Sequence, residues 1–119
     1  MSPSAPDTPC PPPDSLRHLQ QALRAFAEAR QLGPFHAPKN LASALVVEAG
    51  ELLEPFQWLT EAQSRTLPPE VHEAVRLEMA DVLLYLVQLA DSLQVDLVQA
   101  AHDKMRINEG RFPVPPGAP

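Results

Sequence analysis

Proline is the residue that most limits where this chain can form regular structure. Ten of the 15 prolines lie in residues 1–13 and 113–119, and proline lacks a backbone N–H and breaks helices and central strands. We therefore predict a disordered, proline-rich N-terminal tail over residues 1–13, a folded domain over residues 14–113 and a C-terminal tail over residues 114–119. A domain of about 100 residues buries only about two-thirds of its unfolded surface, so association with further copies would stabilise it.

The composition argues against several classes of protein. Nine basic residues stand against 15 acidic ones, a net charge of −6, whereas binding a nucleic acid polymer requires a basic face. The one cysteine, Cys10, cannot form a disulfide framework within this sequence and fits a reducing compartment. We expect no secretory signal, and the longest apolar run, residues 82–90, is too short to span a membrane. These features predict a soluble cytoplasmic protein that binds neither a membrane nor a nucleic acid polymer.

The long segments repeat their apolar residues with the period of a helix, and none alternates as a strand does. We predict four main helices in an all-α bundle. The first is capped by Asp14 or Ser15 and ends at Gly33, since glycine followed by proline terminates a helix. The second begins with Asn40 as its cap and is interrupted at Pro55.

The second half of the chain predicts two further helices after a polar link over residues 60–68. The third helix spans residues 69–93 and begins with proline in its first turn, where a missing N–H costs nothing. Asp96 caps the fourth helix, which ends at residue 108 or 109 with Gly110 as its stop.

Two pairs of acidic residues interrupt the apolar stripes of the second and third helices. Glu48 takes a stripe position and Glu51 follows one turn later, and Glu78 and Asp81 repeat this spacing. Antiparallel packing of the two helices would bring the pairs face to face. Burying a carboxylate without a partner is costly, and basic residues near the pairs are scarce. Because hard oxygen ligands suit Mg²⁺ or Mn²⁺, the pattern predicts a metal site at these four residues.

A magnesium site of carboxylates indicates chemistry on phosphates. Mg²⁺ held this way keeps several waters, binds substrate phosphates and can generate an attacking hydroxide. The sequence has no P-loop, no G-x-S-x-G and no H-E-x-x-H. We therefore expect phosphoryl or nucleotidyl chemistry without a covalent nucleophile.

The stretches LVVEAGELLEPFQW and LEMADVLLYLVQLAD resemble the all-α nucleoside triphosphate pyrophosphohydrolases of the MazG-like superfamily, whose signature is E-x-x-E, a spacer and E-x-x-D. The dCTP pyrophosphatase branch is the most similar, through F-H-x-P-x-N, F-Q-W, D-V-L-x-Y-L and K-M-x-x-N-x-x-R-F-P, over about residues 15–113. The resemblance implies a MazG-like bundle completed by oligomerisation, as a dimer or tetramer, with sites completed by a neighbouring subunit.

The resemblance also implies an activity and the residues that perform it. A nucleoside triphosphate, with dCTP expected, is hydrolysed with Mg²⁺ to the monophosphate and pyrophosphate, which cleans the nucleotide pool. The metal ligands implied are Glu48, Glu51, Glu78 and Asp81. The catalytic carboxylates are Glu51 and Glu48, with Glu51 as the base that activates water. The substrate-binding residues implied are His36, Trp58 and Tyr85 at the base, and Lys104, Asn108 and Arg111 at the phosphates or sugar.

Two alternatives remain open from the sequence. Relatives in the dCTP branch often carry a tryptophan shortly before the F-H block, where this chain has Leu32. The same reaction on dUTP, or on a modified or oxidised nucleotide, is therefore one alternative. A helical scaffold that binds a nucleotide or metal without turnover is the other, and alanine substitution of the acidic residues would separate it from an enzyme.

Overall fold

The computed structural model of the protein describes residues 10–13 and 15–117. Over these residues it contains five α-helices, a short 3-10 turn at Gly33–Phe35 and no strand, which confirms the all-α class. The helices are α1 (Leu16–Ala29), α2 (Pro38–Leu53), α3 (Glu61–Ser64), α4 (Pro69–Ser92) and α5 (Leu97–Arg111). Residues 1–9 of the predicted tail, the alternative cap Asp14 and residues 118–119 lie outside the described residues.

Helix α1 begins where the sequence predicts and ends earlier. The Ser15 hydroxyl accepts a hydrogen bond from the backbone N–H of His18 at 3.1 Å, as a helix cap should. The helix ends at Ala29 rather than at Gly33 because Gln31 adopts a left-handed conformation, with φ 53°. The N–H of Leu32 then donates to the carbonyl of Ala27 at 3.0 Å, which closes the helix end.

Helix α2 begins two residues before the predicted cap. Pro38 is its first residue and Ala37 precedes it, so the prediction that Asn40 caps this helix is wrong. Proline is accommodated there because an N–H at the first helical position would have no partner within the helix. The helix ends at Leu53, two residues before Pro55, as the sequence predicts.

The predicted polar link between the second and third long helices contains a helix of its own. Thr60 and Gln63 form a capping box, in which the side chain of each accepts a hydrogen bond from the other's backbone N–H, at 3.1 and 2.9 Å. This reciprocal pairing stabilises the four-residue helix α3.

Helices α4 and α5 follow the prediction closely. Helix α4 starts at Pro69 and ends at Ser92, one residue short of the prediction. Asp96 caps α5 by accepting from the N–H of Gln99 at 3.0 Å. Gly110 is not the stop, because it remains helical and α5 continues to Arg111.

Helix α4 is the centre of the fold, with α2 and α1 packed against it. Leu41, near the start of α2, lines one cavity with Val87, near the end of α4. Further along α2, Glu48 lies beside Glu78 in the first half of α4. The two helices therefore run antiparallel, as the acidic pairs require.

Helix α1 is attached to α4 by a polar contact. The Asp91 carboxylate accepts hydrogen bonds from both Nε and a terminal nitrogen of Arg24, and from the amide of Gln20 at 2.7 Å. The carboxylate thus receives three donors from one helix face.

Little of the described chain is buried. The buried apolar residues are Leu41, Val75, Val87 and Ala90. Large apolar side chains of α2, α4 and α5 are more than half exposed, among them Val46, Leu77 and Met105. The radius of gyration is 19.2 Å, against about 13–14 Å for a compact domain of this length. Among the described helices, none is both long and apolar enough to cross a membrane.

Candidate metal centre

The two acidic pairs meet where α2 crosses α4. Glu48, Glu78 and Asp81 each place a carboxylate oxygen within 4.8 Å of the other two. Glu48 and Glu78 are half-buried and Asp81 is exposed. One oxygen of Glu48 and one of Glu78 are fully buried and lack a hydrogen-bond partner among the described residues. We call these three residues the acidic cluster.

The surroundings of Glu48 in the acidic cluster disfavour its charged state. Burial, a hydrogen bond with Glu51 and the charges of Glu51, Asp81 and Glu78 raise the pKa of Glu48 to about 7. A protein cation does not relieve this, since Arg76, the basic residue nearest along α4, donates to Glu73 at 2.7 Å instead. The acidic cluster therefore has the properties of a cation site, because its hard oxygens converge and two of its residues each have a buried oxygen without a partner among the described residues.

Glu51 stands apart from the other predicted metal ligands. It is half-buried one turn beyond Glu48 and acts on that residue by hydrogen bonding and charge, but it is not among the three converging carboxylates. The structure thus brings three of the four predicted ligands together and places the fourth beside them.

The residues predicted at the base do not converge within one chain. His36 precedes α2 and Trp58 follows it, and α2 has 16 residues, a length of about 24 Å. His36 is half-buried, whereas the Trp58 side chain is 86% exposed. Tyr85 is half-buried on α4, one turn after Asp81 and so close to the acidic cluster.

The residues predicted at the phosphates share one face of α5 at spacings of four and three residues. Lys104 and Arg111 are exposed and Asn108 is half-buried. Helix α5 packs along neither α2 nor α4 within the described chain. The structure of one chain therefore does not bring these side chains to the acidic cluster.

The model of the MazG-like family matches residues 44–118 of this chain, a range that includes the whole acidic cluster. The chain belongs to the MazG-like family. The family resemblance and the fold expected from the sequence are thereby confirmed.

Curated relatives of this MazG-like chain from different mammals share the same protein name. The protein "dCTP pyrophosphatase 1" of Mus musculus is 44% identical over 105 residues, which are 87% of this chain and 62% of that protein. The Homo sapiens protein of the same name is 41% identical over 104 residues, 86% of this chain and 61% of that protein. This MazG-like chain therefore spans less than two-thirds of the length of these relatives.

A solved structure similar to the MazG-like chain is a pyrophosphatase from Archaeoglobus fulgidus. The two share 37% sequence identity with a TM-score of 0.73, over 83% of this chain and 93% of that one.

Sequence reasoning missed one feature near the acidic cluster of this MazG-like chain. Gln88 lines a cavity of about 270 Å³ together with His36 and Leu41. Gln88 lies on the same face of α4 as Asp81, two turns further on, and this spacing was the only signal in the sequence.

Proposed function

We propose that this protein hydrolyses a nucleoside triphosphate between its α- and β-phosphates, releasing the monophosphate and pyrophosphate, with dCTP as the preferred substrate. The observation that carries the proposal is the acidic cluster, with two buried carboxylate oxygens that lack partners. The names of the relatives, "dCTP pyrophosphatase 1" and "pyrophosphatase", support the reaction and the substrate.

The residues of the acidic cluster fit Mg²⁺, with Mn²⁺ as an alternative, because their ligand atoms are hard carboxylate oxygens. In this proposal Glu48, Glu78 and Asp81 hold the ion, with Glu51 as a further ligand. Such an ion, when bound, polarises phosphoryl oxygens and lowers the pKa of a coordinated water.

Glu51 is proposed as the general base. Its carboxylate would take a proton from the water that attacks the α-phosphorus, and the bond to the pyrophosphate leaving group would break. Its position beside the converging carboxylates supports both proposed roles, because one of its two oxygens can contact the ion while the other accepts the proton. Glu48, next to it, is proposed as the second catalytic carboxylate.

The remaining predicted residues are proposed to bind the substrate. Lys104 and Arg111 would neutralise part of the triphosphate charge, which four carboxylates otherwise repel, and Asn108 would bind the phosphates or sugar from the same helix face. His36, Trp58 and Tyr85 are proposed at the base.

A complete site of this composition requires more than one chain. His36 and Trp58 lie at opposite ends of α2, and among the described residues α5 packs along neither of the helices that carry the acidic cluster. We therefore propose a homodimer or tetramer in which a neighbouring subunit supplies part of each site. The exposed apolar residues of α2, α4 and α5 support such an assembly. A cytoplasmic role in cleaning the nucleotide pool is part of the same proposal.

Product analysis tests the reaction. The purified protein is incubated with Mg²⁺ and, in turn, with each common ribo- and deoxynucleoside triphosphate, with dUTP and with an oxidised nucleoside triphosphate, and the products are separated by anion exchange. We expect monophosphate and pyrophosphate, fastest with dCTP. Diphosphate and phosphate would place the cleavage at the wrong bond and disprove the reaction. A preference for dUTP or an oxidised nucleotide would correct the substrate and keep the reaction.

A pair of variants on α4 tests the role of the acidic cluster. Glu78→Gln removes a charge from the acidic cluster and should lower turnover about 100-fold or more, since charge stabilisation at the reacting phosphate is lost. Glu73→Gln is the matched control, because Glu73 lies on the same helix but pairs with Arg76 outside the acidic cluster. Equal activity of the two variants would contradict a catalytic acidic cluster and favour a nucleotide-binding scaffold.

A further inference from the structure

A cavity of about 270 Å³ lies where α1, the 3-10 turn, the start of α2 and the end of α4 meet. Its apolar lining includes Leu41 and Val87, two of the buried core residues, together with Leu23 and Ala27 of α1. An apolar cavity with a few polar groups is the usual form of a site for a small ring system. This volume exceeds that of a single nucleobase.

Some polar side chains of the cavity are already satisfied by one another. Asp91 accepts hydrogen bonds from Arg24 and Gln20, so the charged side chains of Asp91 and Arg24 in the cavity wall already have partners. Gln88 is different, because it is half-buried and its amide nitrogen donates to the carbonyl of Leu84, one turn back in its own helix, at 3.2 Å. Its amide oxygen has no hydrogen-bond partner among the described residues and remains free to meet a ligand.

The position of Gln88 along α4 gives the distance between the cavity and the acidic cluster. Gln88 follows Asp81 by seven residues on the same helix face, a separation of about 10–11 Å. This separation is comparable to the distance from the α-phosphate of a nucleotide to the hydrogen-bonding edge of its base. The opposite end of α2 offers no similar enclosure within one described chain, since Trp58 is 86% exposed, so the Trp58 proposed at the base would belong to a neighbouring subunit.

We propose that this cavity receives the base of the nucleotide and that Gln88 is the specificity-determining residue that reads the hydrogen-bonding edge of the base. The inference rests on the proposed function, because it assumes that a nucleotide phosphate lies at the acidic cluster. A glutamine amide presents a donor beside an acceptor, which matches a base edge that carries the two complementary groups. The hydrogen bond to the Leu84 carbonyl restrains rotation of the amide, so the positions of its donor nitrogen and acceptor oxygen relative to the base are fixed.

Gln88→Leu removes both hydrogen-bonding groups and keeps a side chain of similar length. We measure kcat and KM for the four common deoxynucleoside triphosphates with the full-length protein and Mg²⁺. The ratio of kcat/KM between the best and the worst base should fall by about 10–100-fold, because discrimination depends on pairing polar groups that are otherwise left unmet. The kcat for the best substrate should change by less than about threefold, since the acidic cluster is untouched.

Gln21→Leu is the matched control, because Gln21 is exposed on α1 and does not line the cavity. It should leave the order of the four bases unchanged. Circular dichroism of both variants should match that of the wild type, because Gln88→Leu removes only one hydrogen bond within its own helix.

Gln88→Glu should change which base is preferred, rather than only weaken the discrimination between bases. A carboxylate only accepts hydrogen bonds, so between the two pyrimidines it should favour cytosine, whose 4-amino group is a donor, over thymine, which presents a carbonyl oxygen at the same position. If the wild type releases pyrophosphate but both Gln88 variants keep the wild-type order of bases within about twofold, or lose activity uniformly with all four, the role of Gln88 is disproved and the reaction stands. If the wild type releases pyrophosphate from no nucleotide, the proposed function fails and the inference fails with it.

Discussion

At the scale of single residues, Glu48 shows most directly that the acidic cluster lacks hydrogen-bond partners for its buried oxygens among the described residues. Its side chain takes an apolar stripe position of α2, and one of its oxygens is buried without a partner. Burial, followed by the hydrogen bond and charge of Glu51 and the charges of Asp81 and Glu78, raises its pKa to about 7 from an ordinary value of 4.5. In the absence of a cation, this carboxyl group is therefore more stable when it holds a proton.

The raised pKa of Glu48 predicts how the stability of the metal-free protein depends on pH. Between pH 4.5 and about 7 the folded state holds a proton that the unfolded state has lost, so the free energy of unfolding falls as the pH rises through this range. We expect a higher melting temperature at pH 5.5 than at pH 8 in EDTA, and expect Mg²⁺ to remove most of the difference. Melting is followed by circular dichroism.

Glu48→Gln is the control for this measurement, because an amide cannot titrate. The variant should lose the part of the pH dependence that Glu48 supplies and should be more stable than the wild type at pH 8 in EDTA. If the melting temperatures of the two proteins depended on pH in the same way, the titration of Glu48 would not be the cause of the pH dependence.

At the scale of the elements, α1 is attached to α4 mainly through Asp91. The hydrogen bonds from Arg24 hold the pKa of this carboxyl group below its ordinary value, with its charge and the hydrogen bond from Gln20 acting in the same direction. The contribution of the ionised carboxylate to stability is therefore present at neutral pH and is lost as the pH falls below the ordinary aspartate range.

Asp91→Asn should lower the melting temperature at pH 7 by a few degrees, because Arg24 loses a charged partner that binds it through two nitrogens. The difference from the wild type should shrink as the pH falls below the ordinary aspartate range, because the wild-type carboxyl group then becomes protonated as well. Asp103→Asn is the control, since Asp103 interacts only within α5. A constant difference across the pH range would argue against the ion pair as the cause.

The ends of these elements show which features a sequence can predict. Ser15, Pro55, Pro69 and Asp96 fix helix ends through their own backbone or side-chain chemistry, and each was predicted correctly. The end of α1 was missed because it depends on a left-handed glutamine, Gln31, a conformation that the residue type does not announce.

Some features of the candidate site could likewise be predicted from the sequence, and others could not. The acidic pairs were predictable, since a carboxylate in an apolar stripe conflicts with burial whatever the rest of the fold does. The placement of Gln88 in a cavity was not, because the cavity walls come from α1 and from the start of α2, and no local spacing specifies which helices meet. That α5 packs along neither α2 nor α4 within the described residues was likewise beyond the local pattern.

At the scale of the whole molecule, the single chain leaves a continuous apolar row uncovered. Val98 and Met105 lie seven residues apart on α5, Phe112 follows at the same spacing just beyond its end, and each is at least half exposed. A row with this spacing faces one side of a helix and is typical of a surface that packs against another helix. Since α5 packs along neither α2 nor α4 of its own chain, we expect a second copy to cover this row.

Light scattering coupled to size exclusion tests this assembly. The wild type should elute with two or four times the mass of one chain, and Met105→Glu should shift it towards a smaller species, because a charge in the contact would lose its hydration. Gln99→Glu places the same side chain on the polar side of α5 and should leave the mass unchanged. A wild-type mass equal to one chain would disprove the proposed oligomer.

The exposed position of Trp58 decides what fluorescence can report. It is the only tryptophan of the chain, and in the single chain its indole ring lies in water beyond the end of α2. The emission of a solvated indole changes little when a protein unfolds, so tryptophan fluorescence will be a poor indicator of folding for the dissociated single chain. The same ring will shift its emission to shorter wavelengths when a neighbouring subunit covers it, and its intensity will fall when a base stacks on it. Dilution and nucleotide titration followed at this one fluorophore can therefore separate assembly from substrate binding without any added label.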